Sequence, residues 1–310
     1  MSLHITNRRA FITGISGLAL TTEEKNFIQE YRPLGYILFA RNVENPEQVL
    51  RLTAELQAQL GENSPILIDQ EGGRVARLKP PHWPVFPSMQ KLVDDAENKE
   101  AASFSCYQQG KNLGAMLKKL GINVDCAPVL DLRLPNTHAI IGDRSPSADP
   151  ELVAHYGEAL ALGLMEEKVF PIIKHIPGHG RATLDSHEDL PIVDVDFETL
   201  KRTDFLPFKL LAHLPLAMTA HIIYTALDAK LPATLSPIVI RYIRDEIGFS
   251  GWLMSDDVSM KALRGSIKER VDSLFAAGCD IALHCNGEMA EMLEVAEASP
   301  IFNRASELKL

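Results

Sequence analysis

The fold of this chain is indicated most clearly by residues 35–70, GYILFARNVENPEQVLRLTAELQAQLGENSPILIDQ. It begins with an apolar run at 35–40, continues through a helical pattern at 46–60 and ends in a second apolar run at 65–70. Strands that are apolar throughout and alternate with helices pair in parallel, because helices cover both faces of their sheet. The stretch therefore predicts two parallel strands joined by a helix.

The same unit recurs along the 310-residue chain. Further apolar runs are AFITGI (10–15), INVDCAPVL (122–130), VFPIIKH (169–175), LAMTAH (216–221), GWLMSDD (251–257) and DIALHCN (280–286). With the first two they make eight, the number of strands in a closed (β/α)8 barrel. The alternative is an open doubly wound α/β sheet. No linker, repeat or low-complexity tract divides the chain, so we predict one TIM-type barrel domain over residues 1–310, with some irregular strands or helices.

Charge and cysteine content limit the class of partner. The formal net charge is −10 and no basic run is present, which argues against nucleic acid as a partner. No stretch reaches the ~18–20 apolar residues of a membrane span. The cysteines lie in apolar stretches without CxxC spacing and are expected to be buried free thiols of a reducing compartment. We therefore expect a cytoplasmic protein with no membrane partner. The sequence leaves the oligomeric state open, with a monomer preferred.

The amino-terminal region allows two interpretations. Arg8 and Arg9 precede AFITGISGLAL, which resembles a secretory signal. No clear small-residue cleavage site follows, and the acids after Thr21 are typical of a capped helix start. We favour a buried first strand followed by a helix.

Polar side chains follow most of the apolar runs. Barrel enzymes collect their working groups at the carboxyl ends of the strands, so these side chains are expected to converge on one mouth. The residues in question are Arg41, Asp69, Asp131, His175, His221, Asp256, Asp257, His284 and Asn286.

The segment KHIPGHGRATLDSHEDLP, residues 174–191, concentrates proton-handling groups. His175, His179 and His187 raise the possibility of a metal site, although their spacing fits no zinc motif. Alternatively, Asp185 and His187 form a carboxylate–imidazole pair that transfers a proton near neutral pH. In that interpretation Lys174 and His175 bind substrate, and the glycines act as hinges of a mobile loop.

Asp256 and Asp257 end the seventh apolar run. Adjacent residues of an extended strand face opposite ways, so at most one is expected to point into the pocket. The other is expected to cap a helix that begins near Ser259.

Several motifs together resemble those of the family 3 glycoside hydrolases, in particular the short, single-domain bacterial β-N-acetylglucosaminidases of peptidoglycan recycling. They are LIDQEGGRVARL (67–78), IGDRS (141–145), KHIPGHG with the following DSHEDLP (174–191), AHIIYTALD with PATLSP (220–237) and MSDDVSM (254–260). They occur in family order over nearly the whole chain. One departure is Arg181, where relatives often have an acid or a small residue.

The resemblance implies a role for each matching position. Asp256 corresponds to the nucleophile, His187 to the acid/base and Asp185 to its partner; no cofactor or metal is implied. The positions expected to hold the sugar are Asp69, Arg77, Arg144, Lys174 and His175, with His221 and Asn286 as further pocket-lining candidates.

The implied activity is that of a retaining exo-β-N-acetylglucosaminidase, which removes terminal GlcNAc from GlcNAc-β-1,4-anhydroMurNAc-peptides through a covalent glycosyl-enzyme. Two alternatives remain open. One is the same mechanism on another β-glycoside. The other is a metal-dependent barrel hydrolase that uses His175, His179 and His187.

Overall fold

The computed structural model describes residues 2–4, 7–61, 64–135, 139–182, 190–304 and 307–309. Its strands are β1 (Ser2–His4), β2 (Arg9–Thr13), β3 (Pro33–Leu38), β4 (Ile66–Ile68), β5 (Val124–Asp125), β6 (Phe170–Ile176), β7 (Ile192–Val193), β8 (Leu216–Thr219), β9 (Ile223–Tyr224), β10 (Trp252–Asp257), β11 (Ile281–His284) and β12 (Glu307–Lys309). Its α-helices are α1 (Thr22–Tyr31), α2 (Pro46–Leu60), α3 (Met89–Asp94), α4 (Lys99–Lys119), α5 (Pro150–Glu166), α6 (Phe197–Arg202), α7 (Leu206–Leu210), α8 (Pro237–Tyr242), α9 (Ile267–Ala277) and α10 (Met289–Ala298). Short 3-10 segments lie at Ala40–Asn42, Gly142–Arg144 and Ala233–Leu235, with a π-helical turn at Ile243–Ile247.

Eight parallel strands close into a barrel in the order β10, β11, β2, β3, β4, β5, β6, β8. Each of the eight apolar runs contributes one of these strands, so the predicted (β/α)8 fold is confirmed and the open sheet is wrong. Aliphatic, aromatic and sulfur-containing side chains such as Leu67, Phe170 and Met254 fill the interior. The barrel is therefore a packed core whose polar groups lie at its ends.

Local sequence explains where the helices begin and end. In α2 the side chain of Asn45 accepts a hydrogen bond from the Gln48 amide, and Pro46 occupies the first turn. Val49, Leu52 and Leu56 bury one face of that helix against the barrel core. Thr21 caps α1 in a reciprocal capping box with Glu24, as the acids after Thr21 predicted.

Two expectations about regular structure need correction. The run INVDCAPVL yields only the two-residue strand β5, since Pro128 has no N–H to donate and the Asn123 side chain accepts from the Ile66 amide instead. No helix begins near Ser259; residues 258–265 form turns, and α9 begins at Ile267 after the cap Ser266.

Two small sheets outside the barrel were not predicted. β7 pairs in parallel with β9 beside the barrel mouth, and β1 pairs antiparallel with β12. Each strand has only two or three residues, which is too short for a periodic pattern to appear in the sequence. Among the described helices, none combines the length and apolarity that crossing a membrane requires.

Candidate active site

A cavity of about 270 Å³ opens at the carboxyl ends of the barrel strands. Six of the residues predicted to form the site line it, and they come from sequence positions nearly two hundred residues apart. These six are Asp69, Arg77, Arg144, Lys174, His175 and Asp256. Apolar side chains complete the wall, among them Ile37, Phe39, Met218, Met260 and Leu283.

A buried charged cluster forms one wall of the cavity. Lys174 Nζ lies 2.9 Å from Asp69 Oδ1 and 2.6 Å from Glu71 Oε1, with only 3% of its side chain exposed. Arg77 Nη2 donates to the other oxygen of Asp69 at 2.9 Å. Arg144 binds Glu71 through two parallel hydrogen bonds of 2.8 Å each. Bidentate pairs of this kind fix the guanidinium plane as well as its position.

The cluster determines the ionisation of its own members. Burial alone would raise the pKa of Asp69, but Lys174 and Arg77 hold that pKa well below its ordinary value. Burial is likewise outweighed at Glu71, where Arg144 and Lys174 lower the pKa from 4.5 to about 2. Burial would lower the pKa of Lys174, yet the two carboxylates raise it. Asp69, Glu71 and Lys174 therefore stay charged near neutral pH, and three basic side chains face two carboxylates.

Asp131 holds the backbone and ring at the start of the histidine-rich segment. Its Oδ1 accepts from the backbone N–H groups of His175 and His179 at 3.2 and 2.6 Å. Its Oδ2 lies 2.7 Å from Nδ1 of His175. Burial would raise the pKa of Asp131, but His175 and these bonds lower it to about 2. Because the carboxylate only accepts, the His175 ring donates from Nδ1.

Both aspartates at the end of β10 contribute to the cavity lining, and the expectation that only one of the two side chains points into the pocket stays a prediction. The register between β10 and β11 shifts between Met254 and Asp257, and such an irregularity re-aims side chains. Asp257 accepts from the amides of Ser259 and Cys285 at 3.0 and 3.1 Å, and from the Ser259 hydroxyl at 2.7 Å. Asp256 Oδ1 accepts from the Asp257 amide at 2.8 Å.

Two predicted pocket residues lie elsewhere, and two are not described. His221 is fully buried, with Nδ1 2.8 Å from the Thr234 hydroxyl and Nε2 3.0 Å from the Asp257 carbonyl, so it supports the floor of the site. Asn286 donates to Glu291 Oε2 at 2.7 Å. Neither belongs to the described cavity lining. Asp185 and His187 lie outside the described residues.

The glycines of the histidine-rich segment are required by close packing. Gly178 has φ +143°, and a Cβ there would lie 2.7 Å from the Asp204 carbonyl oxygen. A Cβ at Gly180 would clash with the backbone of Leu132. Next to them, Arg181 Nε donates to the buried Asp204 at 2.6 Å. These contacts anchor the described start of the segment, and the hinge interpretation stays a prediction.

Sequence reasoning missed two groups of the site. Glu71 binds both Arg144 and Lys174, although only its neighbours in QEGGR drew attention. Its position two residues after Asp69 was the available signal, because residues i and i+2 share one face of an extended chain. Asp131 was noted only as a strand-end acid, and nothing in the sequence indicated its bond to a histidine 44 residues later.

Replacing Asp131 with asparagine is expected to lower kcat/KM about 10- to 100-fold while the protein stays folded. The amide would donate towards His175 Nδ1 and force the ring into the other tautomer, which misorients a group in the cavity. Glu291→Gln is the matched control, since Glu291 Oε2 accepts a similar bond from His284 at 2.9 Å outside the described cavity lining. Steady-state kinetics of both variants check this; equal activity would contradict the role of Asp131.

Comparison with known proteins identifies the family. The model for the glycosyl hydrolase family 3 N terminal domain matches residues 10–305. A β-hexosaminidase from Neisseria gonorrhoeae is 38% identical over 286 residues, which cover 90% of this chain and 78% of that protein. The chain therefore belongs to glycosyl hydrolase family 3. It is a glycoside hydrolase built on a single-chain (β/α)8 barrel.

Solved structures agree with this assignment. NagZ from N. gonorrhoeae in complex with N-trifluoroacetyl-D-glucosamine has a TM-score of 0.89 and 36% identity, covering 98% of this chain and 88% of that one. The structure of NagZ from the same organism in complex with zinc ion has a TM-score of 0.87 and 35% identity, covering 97% of this chain and 87% of that one. A glycoside hydrolase family 3 β-N-acetylglucosaminidase from Paenibacillus sp. has a TM-score of 0.87 and 33% identity. The match covers 93% of this chain and 56% of that one.

Proposed function

We propose that this glycoside hydrolase is a retaining, exo-acting β-N-acetylglucosaminidase that releases terminal GlcNAc from GlcNAc-β-1,4-anhydroMurNAc-peptides. The observation that carries the proposal is the shared cavity of Asp256 and the charged cluster around Lys174. A nucleophile and a dense set of fixed hydrogen-bonding groups in one small cavity suit a sugar ring. The β-hexosaminidase and the GlcNAc-analogue complex among the relatives support the same substrate class.

The size of the cavity supports action at a chain end. Its volume of about 270 Å³ lies below the ~300–1,000 Å³ of pockets for drug-sized ligands. One monosaccharide is therefore the best occupant, with the rest of the substrate outside. Asp69 accepts hydrogen bonds from sugar hydroxyls, while Arg77, Arg144 and Lys174 donate to hydroxyl or N-acetyl carbonyl oxygens.

The proposed reaction has two displacements. The Asp256 carboxylate forms a bond to the anomeric carbon as the glycosidic C–O bond breaks, and protonated His187 gives its proton to the leaving oxygen. Neutral His187 then takes a proton from water, whose oxygen attacks the anomeric carbon and frees Asp256. Asp185 orients the His187 ring and favours its protonated form. Two inversions leave the configuration retained.

The metal-dependent alternative stays a prediction. His175 and His179 have ring centroids 5.5 Å apart, but the Nδ1 of His175 is bonded by Asp131. His187, its third proposed ligand, lies outside the described residues. One relative has been crystallised with zinc ion, so a chelator belongs in the test of function.

We also propose that the enzyme works in peptidoglycan recycling in the cytoplasm, on small saccharides and without a cofactor. The motifs shared with recycling enzymes suggest this setting. The four cysteines are free thiols, which is typical of a reducing compartment.

Hydrolysis of p-nitrophenyl β-N-acetylglucosaminide beside the matching β-glucoside tests the proposal. We expect the N-acetyl substrate to be preferred on the order of 10²-fold or more, because polar groups that bind the acetamide would be left unpaired by glucose. Full activity after extensive dialysis against EDTA is also expected. Preference for the glucoside would favour the same mechanism on another β-glycoside. Loss of activity after dialysis against EDTA, restored by added zinc, would favour a metal-dependent hydrolase.

A further inference from the structure

A second cavity, of about 660 Å³, lies at the same end of the barrel; we call it the side groove. The segments that follow β6, β8 and β10 supply nine of its ten described lining residues, and α9 supplies the tenth. Its lining is Leu190, Ile192, Ile223, Lys230, Leu231, Pro232, Leu235, Ala262, Arg264 and Ser273. A groove of this volume accommodates a ligand the size of a short peptide.

The turn after β10 joins the side groove to the catalytic cavity. Met260 lines the cavity, whereas Ala262 and Arg264 line the groove. Two residues span at most about 7 Å, so one short turn separates the two spaces. That turn is held in place, since the Met260 amide donates to Asp257 at 3.1 Å and Arg270 Nη1 donates to the Val258 carbonyl at 2.7 Å. The groove is therefore a fixed extension of the site.

In the proposed function the rest of the substrate lies outside the catalytic cavity, next to which the groove opens. Leu190, which lines the groove, is three residues after His187 in the sequence. In the proposed function His187 protonates the glycosidic oxygen, and that oxygen leaves with the remainder of the substrate. The groove borders the catalytic cavity at the turn after β10, so it is in position to contact that remainder.

The chemistry of the groove is apolar with a positive rim. Ile192 and Leu231 are 57% and 41% exposed and line the same groove, which gives the groove an exposed apolar surface. Lys230 and Arg264 are both exposed, and the described lining contains no acid. Asp228 and Glu269, close by in sequence, already accept hydrogen bonds from Ser236 and Ser266. In a chain of net charge −10 this is a local site for carboxylates.

We propose that the side groove binds the short acidic peptide carried by the leaving group. Its carboxylates meet Lys230 and Arg264, and its aliphatic side chains cover Ile192 and Leu231. The inference rests on the proposed function, because only that reaction brings a peptide-bearing leaving group to this face. It adds a site that selects substrates by their peptide.

The test compares wild type with the double variant Lys230→Gln/Arg264→Gln. The control is Lys118→Gln/Lys119→Gln, which removes the same charge from exposed positions at the end of α4. We expect kcat/KM on GlcNAc-anhydroMurNAc-tripeptide to fall roughly tenfold in the groove variant, and less at high salt. On the peptide-free disaccharide and on the p-nitrophenyl substrate all three proteins should agree within about twofold.

Equilibrium binding of anhydroMurNAc-tripeptide, measured by titration calorimetry, decides the groove without any turnover. Binding that weakens roughly tenfold in the groove variant alone supports the groove proposal. If that result is obtained and the enzyme hydrolyses no N-acetylglucosaminide, only the proposed function fails. The groove proposal would be overturned if the groove variant lost kcat/KM equally on substrates with and without the peptide. Equal binding of anhydroMurNAc-tripeptide by all three proteins would also overturn it. A change confined to the sedimentation of the groove variant would also overturn it, since the groove would then be a contact between copies of the chain.

Discussion

Asp256→Ala is expected to lower kcat on p-nitrophenyl β-N-acetylglucosaminide on the order of 10⁴-fold or more. The proposed reaction has no covalent intermediate without this carboxylate. The neighbouring Asp257 is a poor substitute although it lines the same cavity. Its oxygens accept hydrogen bonds from Ser259 and Cys285, which fix them to the turn after β10.

Asp257→Asn is the matched control for this prediction. This variant keeps the side-chain shape. Its kcat is expected to fall about tenfold, because one hydrogen bond to Ser259 is weakened and the turn shifts. Added azide offers a second readout, since it enters the space left in the alanine variant and attacks the anomeric carbon to give the α-glycosyl azide. A larger loss in Asp257→Asn than in Asp256→Ala would show that the nucleophile is assigned to the wrong aspartate.

Lys174→Met is expected to destabilise the fold by about 3–5 kcal/mol and to abolish most activity. The exchange leaves Asp69 and Glu71 buried together without the cation that lies 2.9 and 2.6 Å from them. Lys91→Met is the matched control, because Lys91 pairs with Asp95 at 2.7 Å but is 64% exposed. Exposed pairs contribute about 1 kcal/mol or less. Urea unfolding at pH 7 measures both losses; equal values would contradict the account of the cluster.

The same cluster predicts how acid affects stability. The pKa of Glu71 is lower in the folded protein, about 2, than its ordinary 4.5. A depressed carboxyl pKa contributes stability that is present above the ordinary value and is lost as the pH falls towards the folded value. Wild-type stability should therefore decline between about pH 5 and 2, and part of that decline should disappear in Lys174→Met.

The fold was predictable because its signal is local. Each barrel strand is a run such as VFPIIKH, whose apolar character is set by burial on both faces. Strand length was less predictable, as Pro128 and Asn123 show for β5. The β7–β9 pair is held by contacts between segments thirty residues apart, which no short pattern records.

The sequence indicates which residues at the strand ends form the site. It does not indicate which of their side chains bond to one another. A polar residue after a strand can face the cavity, as Asp69 does, or support it from below, as His221 does. Which partner a charge finds depends on the closure of the barrel: Arg144 meets Glu71 from 73 residues away. Sequence motifs indicate that such groups belong together, whereas the distances between them are a property of the fold.

The most direct test of the central claim is proton NMR of GlcNAc in the first minutes of p-nitrophenyl β-N-acetylglucosaminide hydrolysis. The β-anomer is expected to appear first and then to equilibrate with the α-anomer, because two displacements at Asp256 restore the configuration. Release of the α-anomer first would mean a single displacement by water. That result would contradict the glycosyl-enzyme on Asp256.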